Sequence, residues 1–170
     1  KTIKQVGCAL TALATLINYY ARAYPELNIS TTNPKDLNER LKEIDGFDKE
    51  HNIYWEKLNA YNISKGHILY ISIPYSYSPG ELNRLVEEEL QKGLPVIVEA
   101  YRSWINPNTN KKEEWSHFLL VIGKCGDNYI VSDPGSKERI LFNPNDSVVI
   151  DKNTQNTFGP IIGIKRFKKR

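Results

Sequence analysis

Cysteine is scarce in this chain: Cys8 and Cys125 are the two among 170 residues. That is too few for a disulfide framework, and no C-x-x-C pair is present to hold zinc or run redox exchange. Histidine is as sparse. His51, His67 and His117 stand far apart, with no H-E-x-x-H arrangement, so neither a metal site nor a cofactor is expected. No stretch reaches the ~20 apolar residues of a membrane span, and nothing resembles a signal peptide. Repeats and Gly/Ser-rich linkers are also missing, which leads to the expectation of a single domain over residues 1–170. The chain opens on Lys1 rather than Met, and is read as trimmed at its N-terminus.

What is present is an ordinary soluble composition, 40% hydrophobic and 25% charged. The net charge of +3 conceals an asymmetry, because "KRFKKR" at the C-terminus carries Lys165, Arg166, Lys168, Lys169 and Arg170. Without those five, 18 basic residues face 20 acidic ones. A basic cluster can touch nucleic acid or anionic lipid. With no RNA- or DNA-reading motif elsewhere, no nucleic-acid partner is expected and the cluster reads as a solvated tail.

Hydrophobic spacing predicts a buried helix over residues 9–22, with Leu10, Leu13, Ala14, Ile17 and Ala21 on one side and more apolar residues opposite. "TTNPKDLNERLKEIDGF" predicts a second helix, capped by Thr32 or Asn33, opened by Pro34 and ended at Gly46. A short third helix at "IYWEKLNAY" precedes a strand at "HILYISI". "SPGELNRLVEEELQKG" carries the S-x-x-E capping box in Ser78 and Glu81, Pro79 at the first position and Gly93 as a stop. Strands follow at "LPVIVEAY", "HFLLVIG", "NYIVSD", "ERILFN" and "GPIIGIKRF", with "INPNTNKKEE" read as a surface loop. Helices first and then a mostly antiparallel sheet make the class α+β.

The hairpin "HFLLVIGKCGDNYIVSD" carries the chemistry. Centred on Cys125, it sets His117 directly opposite Asp133, near enough for imidazole to meet carboxylate, provided the register holds. A carboxylate there can fix the tautomer and orientation of the ring. Cys8, in "QVGCALTALATLINYY", stands at the predicted start of the first helix. There the macrodipole and a neighbouring imidazolium would lower its thiol pKa, and its backbone N–H would serve an oxyanion. Taken singly, each residue has a plainer reading: a small core cysteine, a structural histidine, a turn aspartate before Pro134-Gly135. Together they fit a nucleophile, a base and an orienting group.

"GCALTALATLINYY" with "SHFLLVIGKCGDNYIVSDPG", supported by "NPKDLNERLKEIDGF" and "GLPVIVEAY", resembles the bacteriocin-leader (double-glycine) peptidase-like branch of the papain-like cysteine peptidases. The resemblance implies a papain-like fold, a peptide or protein substrate, and catalytic Cys8, His117 and Asp133. One departure concerns the oxyanion-hole glutamine. It commonly lies further upstream in that family than Gln5 does here, and it is expected before Lys1. The leading functional expectation is a thiol protease working through an acyl-enzyme on Cys8. A peptidoglycan amidase or endopeptidase is the alternative, although the Asp-Cys-Ser or Cys-Thr-Trp flavour of those enzymes is absent. A non-catalytic binding domain on the same scaffold is the third reading. Similar domains occur as stand-alone or secreted bacterial proteins, giving an extracellular or cell-surface location as the expectation. Tyr75, Tyr77, Trp104 and Trp115 are candidate cleft residues in or beside loops.

Overall fold

The computed structural model describes residues 3–60, 68–71, 77–135, 139–145, 148–151 and 156–169. Its order is α1 (Ile3–Ala23), a 3-10 turn (Pro25–Leu27), α2 (Pro34–Glu43), α3 (Lys57–Ala60), β1 (Ile68–Ile71), α4 (Pro79–Gln91), β2 (Val96–Asn106), β3 (Lys111–Cys125), β4 (Asn128–Ser132), β5 (Arg139–Phe142), β6 (Val148–Asp151) and β7 (Asn156–Lys169). The chain divides into two compact units, residues 1–73 with 165–170, and residues 74–164.

The first unit is built on α1. Leu10, Leu13, Leu16, Ile17 and Tyr20 are buried, and the small residues Ala9, Ala12 and Ala14 are buried between them. Few of its positions face water, as the all-round apolar pattern predicts. The helix begins at Ile3, six residues before the expected start, a difference that bears on Cys8. Asn18 pins α1 to the segment before α2. Its Nδ2 donates to the Thr32 carbonyl and its Oδ1 accepts the Thr32 N–H, each at 2.8 Å. In α2, Asn33 is the N-cap and accepts from Asp36 N–H, with Pro34 at the first position and Leu37 and Leu41 fully buried. Gly46 closes this turn by donating to the Leu41 carbonyl at 2.7 Å. A Cβ at Gly46 would fall 2.9 Å from both that oxygen and Leu41 Cδ2, so glycine is required by close approach.

The basic C-terminus is not a solvated tail. It is the end of β7, paired antiparallel with β1 from Ile68↔Lys169 to Ile71↔Arg166. Alternate residues turn inward, and Phe167 packs 5.6 Å from the ring of Tyr70 and 6.4 Å from that of Trp55. Lys165, 6% exposed, lies with its Nζ 5.4 Å from the Trp55 ring centre. On the edge of β1 away from β7, Asn59 satisfies the strand's backbone: Nδ2 donates to the Tyr70 carbonyl at 2.8 Å and Oδ1 accepts the Tyr70 N–H at 2.7 Å. The rest of the predicted "HILYISI" strand lies outside the described residues.

The second unit holds the sheet β7-β2-β3-β4-β5, with β6 on β7; β2–β3, β3–β4, β4–β5 and β6–β7 pair antiparallel. Val96, Ile97 and Val98 are buried in succession, as are Leu119, Leu120 and Val121, so the centre of the sheet is covered on both faces. α4 has both halves of the predicted capping box and Pro79 at its first position. Its Leu82, Leu85 and Val86 are buried. Gly93, at φ 73°, ends the helix as expected. The predicted loop "INPNTNKKEE" is mostly strand: β2 and β3 pair out to Asn106↔Lys111, leaving a four-residue turn. Polar Lys and Glu hid these strands because their stabilising contacts are cross-strand, such as Trp104 Nε1 donating to Glu113 at 3.0 Å. β6 was not anticipated.

Phe167→Ala is expected to cost about 3–5 kcal/mol by emptying the Trp55–Tyr70 cluster, whereas Lys168→Ala should stay within about 0.5 kcal/mol. Urea unfolding measures both; equal small effects would show that the C-terminal strand is not part of the first unit's core.

Candidate active site

His117 stands in the middle of β3 opposite Ala100 of β2, not at a strand start. Asp133 is the first residue after β4, and each is 5% exposed. The two meet at 2.6 Å between His117 Nε2 and Asp133 Oδ1. The same oxygen accepts the Gly135 N–H at 2.9 Å. Asp133 is therefore both the turn residue of the Asp-Pro-Gly sequence and the partner of the histidine.

The route to this meeting differs from the expected one. The hairpin turns at Gly126-Asp127, with Gly126 at φ 59°, the left-handed conformation that glycine accepts at the first central position of a II′ turn. Pairing runs Cys125↔Asn128, Lys124↔Tyr129 and Gly123↔Ile130, then shifts to Val121↔Val131 and Leu120↔Ser132. Ile122 is the extra residue of a β-bulge. Continued past Ser132, this register puts Asp133 beside Leu119, whose side chain shares a face with His117. The pair is diagonal rather than directly opposed, a separation that a histidine and an aspartate can span. Without the bulge, Asp133 would fall beside Leu120 and on the opposite face from His117.

Burial pushes the Asp133 carboxyl up. The hydrogen bond with His117, the Gly135 N–H, and the charges of His117 and Arg102 together outweigh that, leaving it below its ordinary value. The sign of the linkage follows. A depressed carboxylate stabilises the fold fully above its unfolded pKa of ~3.9, and loses that contribution as pH falls through the lower folded value.

Arg102, which the sequence did not single out, lies on the same strand face. The pairs Ala100↔His117, Arg102↔Trp115 and Trp104↔Glu113 line up along it. The Arg102 guanidinium sits 5.3 Å from the Trp115 ring centre, and Trp115 meets Trp104 edge-on at 6.1 Å. Trp104 and Trp115 thus stand on strands rather than loops, while Tyr75 lies outside the described residues. The period-2 alternation "YRSWIN" would have revealed Arg102, had the strand been extended past Tyr101.

Cys8 belongs to the first unit and is half-buried on α1. Because α1 starts at Ile3, Cys8 is in its second turn. Its backbone N–H is directed to the carbonyl four residues earlier, and the dipole effect has largely decayed by that point. The helix end therefore gives neither the activation nor the oxyanion donor expected of it, and any activation of the thiol must come from a side-chain partner. Gln5 stands one turn earlier on the same helix, with its side chain outside the described residues. Neither Cys8 nor Cys125 is in a disulfide. Among the described residues no group of three or more His, Cys, Asp or Glu side chains is placed to hold a metal. No described helix is long and apolar enough to cross a membrane.

Within the second unit, then, a buried aspartate holds a histidine on a sheet. Residues 1–147 match the model of the Peptidase C39-like family. The chain belongs to that family. Its α+β, papain-like class agrees with the one read from the sequence, and the matched region includes Cys8, His117 and Asp133. No curated protein matches the chain. Among solved structures it is similar to a Bacillus anthracis protein described as a C39-like peptidase. The TM-score is 0.46 and the identity 15%, over 97% of this chain and 90% of that one.

The His117 Nε2–H proton should appear as a low-field NMR resonance that persists in Asp133→Asn and vanishes in Asp133→Ala. The difference in urea midpoint between wild type and Asp133→Asn should shrink from pH 5 to pH 3. A difference constant across that range would contradict a depressed Asp133.

Proposed function

We propose that the chain is a cysteine peptidase that cleaves peptide bonds through an acyl-enzyme on Cys8, with His117 as base and acid and Asp133 as the group that orients it. The observation that carries this reading is the buried 2.6 Å contact between His117 and Asp133. With Nε2–H donated to the carboxylate, Nδ1 is the nitrogen that exchanges a proton with the nucleophile. In the attacking step the Cys8 thiol gives its proton to Nδ1 and its sulfur bonds to the scissile carbonyl carbon. Collapse of the tetrahedral adduct breaks the C–N bond, and the imidazolium returns its proton to the leaving amine. Water then attacks the thioester with His117 taking its proton, and the carboxylic acid and the thiol are regenerated. No metal or cofactor enters any of these steps.

The thiol's activation in this scheme comes from the imidazolium and not from the helix end. Alkylation of Cys8 by iodoacetamide should accordingly titrate below the ~8.5 of an ordinary cysteine. His117→Ala should restore the ordinary profile. Identical ordinary profiles in the two proteins would remove Cys8 as the nucleophile.

Turnover gives an independent test on any peptide the wild type cleaves. His117→Ala should lower kcat by about 100- to 10,000-fold, the range for loss of a general acid–base group. Asp133→Ala should lower kcat clearly while leaving the protein folded. Asp133→Asn should be milder, because its amide oxygen can still accept from the ring and from Gly135. Unchanged activity in Asp133→Ala would contradict the orienting role.

A further inference from the structure

Asp133 is buried, and charge faces it from two strands among the described residues: His117 on β3 and Arg102 on β2. Its own turn contributes the Gly135 N–H, and Trp115, next to His117 along β3, brings a ring without charge. A Cβ placed on Gly135 would lie 3.4 Å from Asp133 Oδ1, 3.7 Å from Oδ2 and 3.9 Å from Arg102 Nη1. The carboxylate and the guanidinium therefore border the same small space, which glycine leaves open. Across it, the two charges interact through protein rather than bulk water. The Trp115 ring, 5.3 Å below the guanidinium carbon, fixes the height of the cation. A stacked guanidinium is weakly hydrated, always charged, and holds its position with little further loss of freedom.

We infer that Arg102, stacked on Trp115, is a positioning residue for the His117–Asp133 pair, a fixed cation that keeps the carboxylate ionised and limits how strongly the imidazolium is held. Its effect on the pair is independent of any role for Cys8; its effect on catalysis rests on the reading proposed above. A cation beside two coupled titrating groups makes each protonation harder. Removing it must raise both midpoints of the pair. A merely structural arginine would instead lower the melting temperature and leave the midpoints in place. The space over Gly135 also makes this residue a steric control, because a Cβ there would crowd Asp133 Oδ1 and stand between carboxylate and guanidinium.

The test is an NMR titration of the whole chain, following the Asp133 carboxyl carbon and the His117 ring in wild type, Arg102→Gln and Arg102→Lys. Both midpoints should move up in Arg102→Gln and stay close to wild type in Arg102→Lys, which keeps the charge. Unmoved midpoints in Arg102→Gln, or equal movement in the two variants, would overturn the inference. If Arg102→Gln does not fold, Trp115→Leu releases the cation from its platform. The midpoints should then rise in the same direction, and unmoved midpoints would again overturn it. The alkylation profile of Cys8 is recorded on the same samples. Shifted midpoints with an unshifted alkylation profile support Arg102's action on the pair while contradicting the catalytic role of that pair.

Discussion

A carboxylate 5% exposed to solvent is the constraint around which the second unit is arranged. Removing such a group from water is costly unless its charge is met by hydrogen bonds and opposite charge. Asp133 is met from three directions: the imidazole of β3, the backbone N–H of its own turn, and the guanidinium of β2. Each partner is supplied by a different local device. The diagonal placement comes from the bulge at Ile122, the N–H from an Asp-Pro-Gly turn, and the cation from an arginine stacked on Trp115. Loss of any one leaves a buried charge less well paired, so the three are coupled in energy although they are separate in sequence.

That coupling also explains what could be read from the sequence. The choice of His117 and Asp133 as partners was legible because hairpin geometry brings such residues together. The register was not, since a bulge adds a residue without leaving a signature in the apolar pattern. Counting from Cys125 gave a directly opposed pair; the chain turns instead at Gly126-Asp127 and restores the shared face by the extra residue at Ile122. The moved turn shifts the partner of Asp133 by three residues and the bulge takes back one, which returns it to the face of His117 and leaves a diagonal contact. Cys8 shows the reverse case. Its residue type and family resemblance were legible, but the physical reason first attached to it was not, because the helix continues five residues upstream of it.

Elsewhere the caps were the most readable features, since their chemistry is local. Ser78 with Glu81, Asn33 with Pro34, and Gly93 all stand where residue type alone put them. The least readable were elements whose stability is supplied by a distant strand. The charged ends of β2 and β3 are held by pairing with each other, and the basic C-terminus becomes a strand because Phe167 reaches Trp55 and Tyr70. Charge on the exposed positions of β7 concealed the inward alternation of Lys165 and Phe167, which the composition of "KRFKKR" presents simply as a polar tail.

The central claim is that His117 and Asp133 serve a nucleophile at Cys8. A mechanism-based electrophile, such as a peptidyl vinyl sulfone that reacts with an enzyme-activated thiolate, tests it most directly when followed by mass mapping of both cysteines. The account predicts a single adduct on Cys8 in the wild type and none in His117→Ala, with the exposed Cys125 unmodified in both. Labelling of Cys125 in preference to Cys8, or of Cys8 to the same extent without His117, would contradict it.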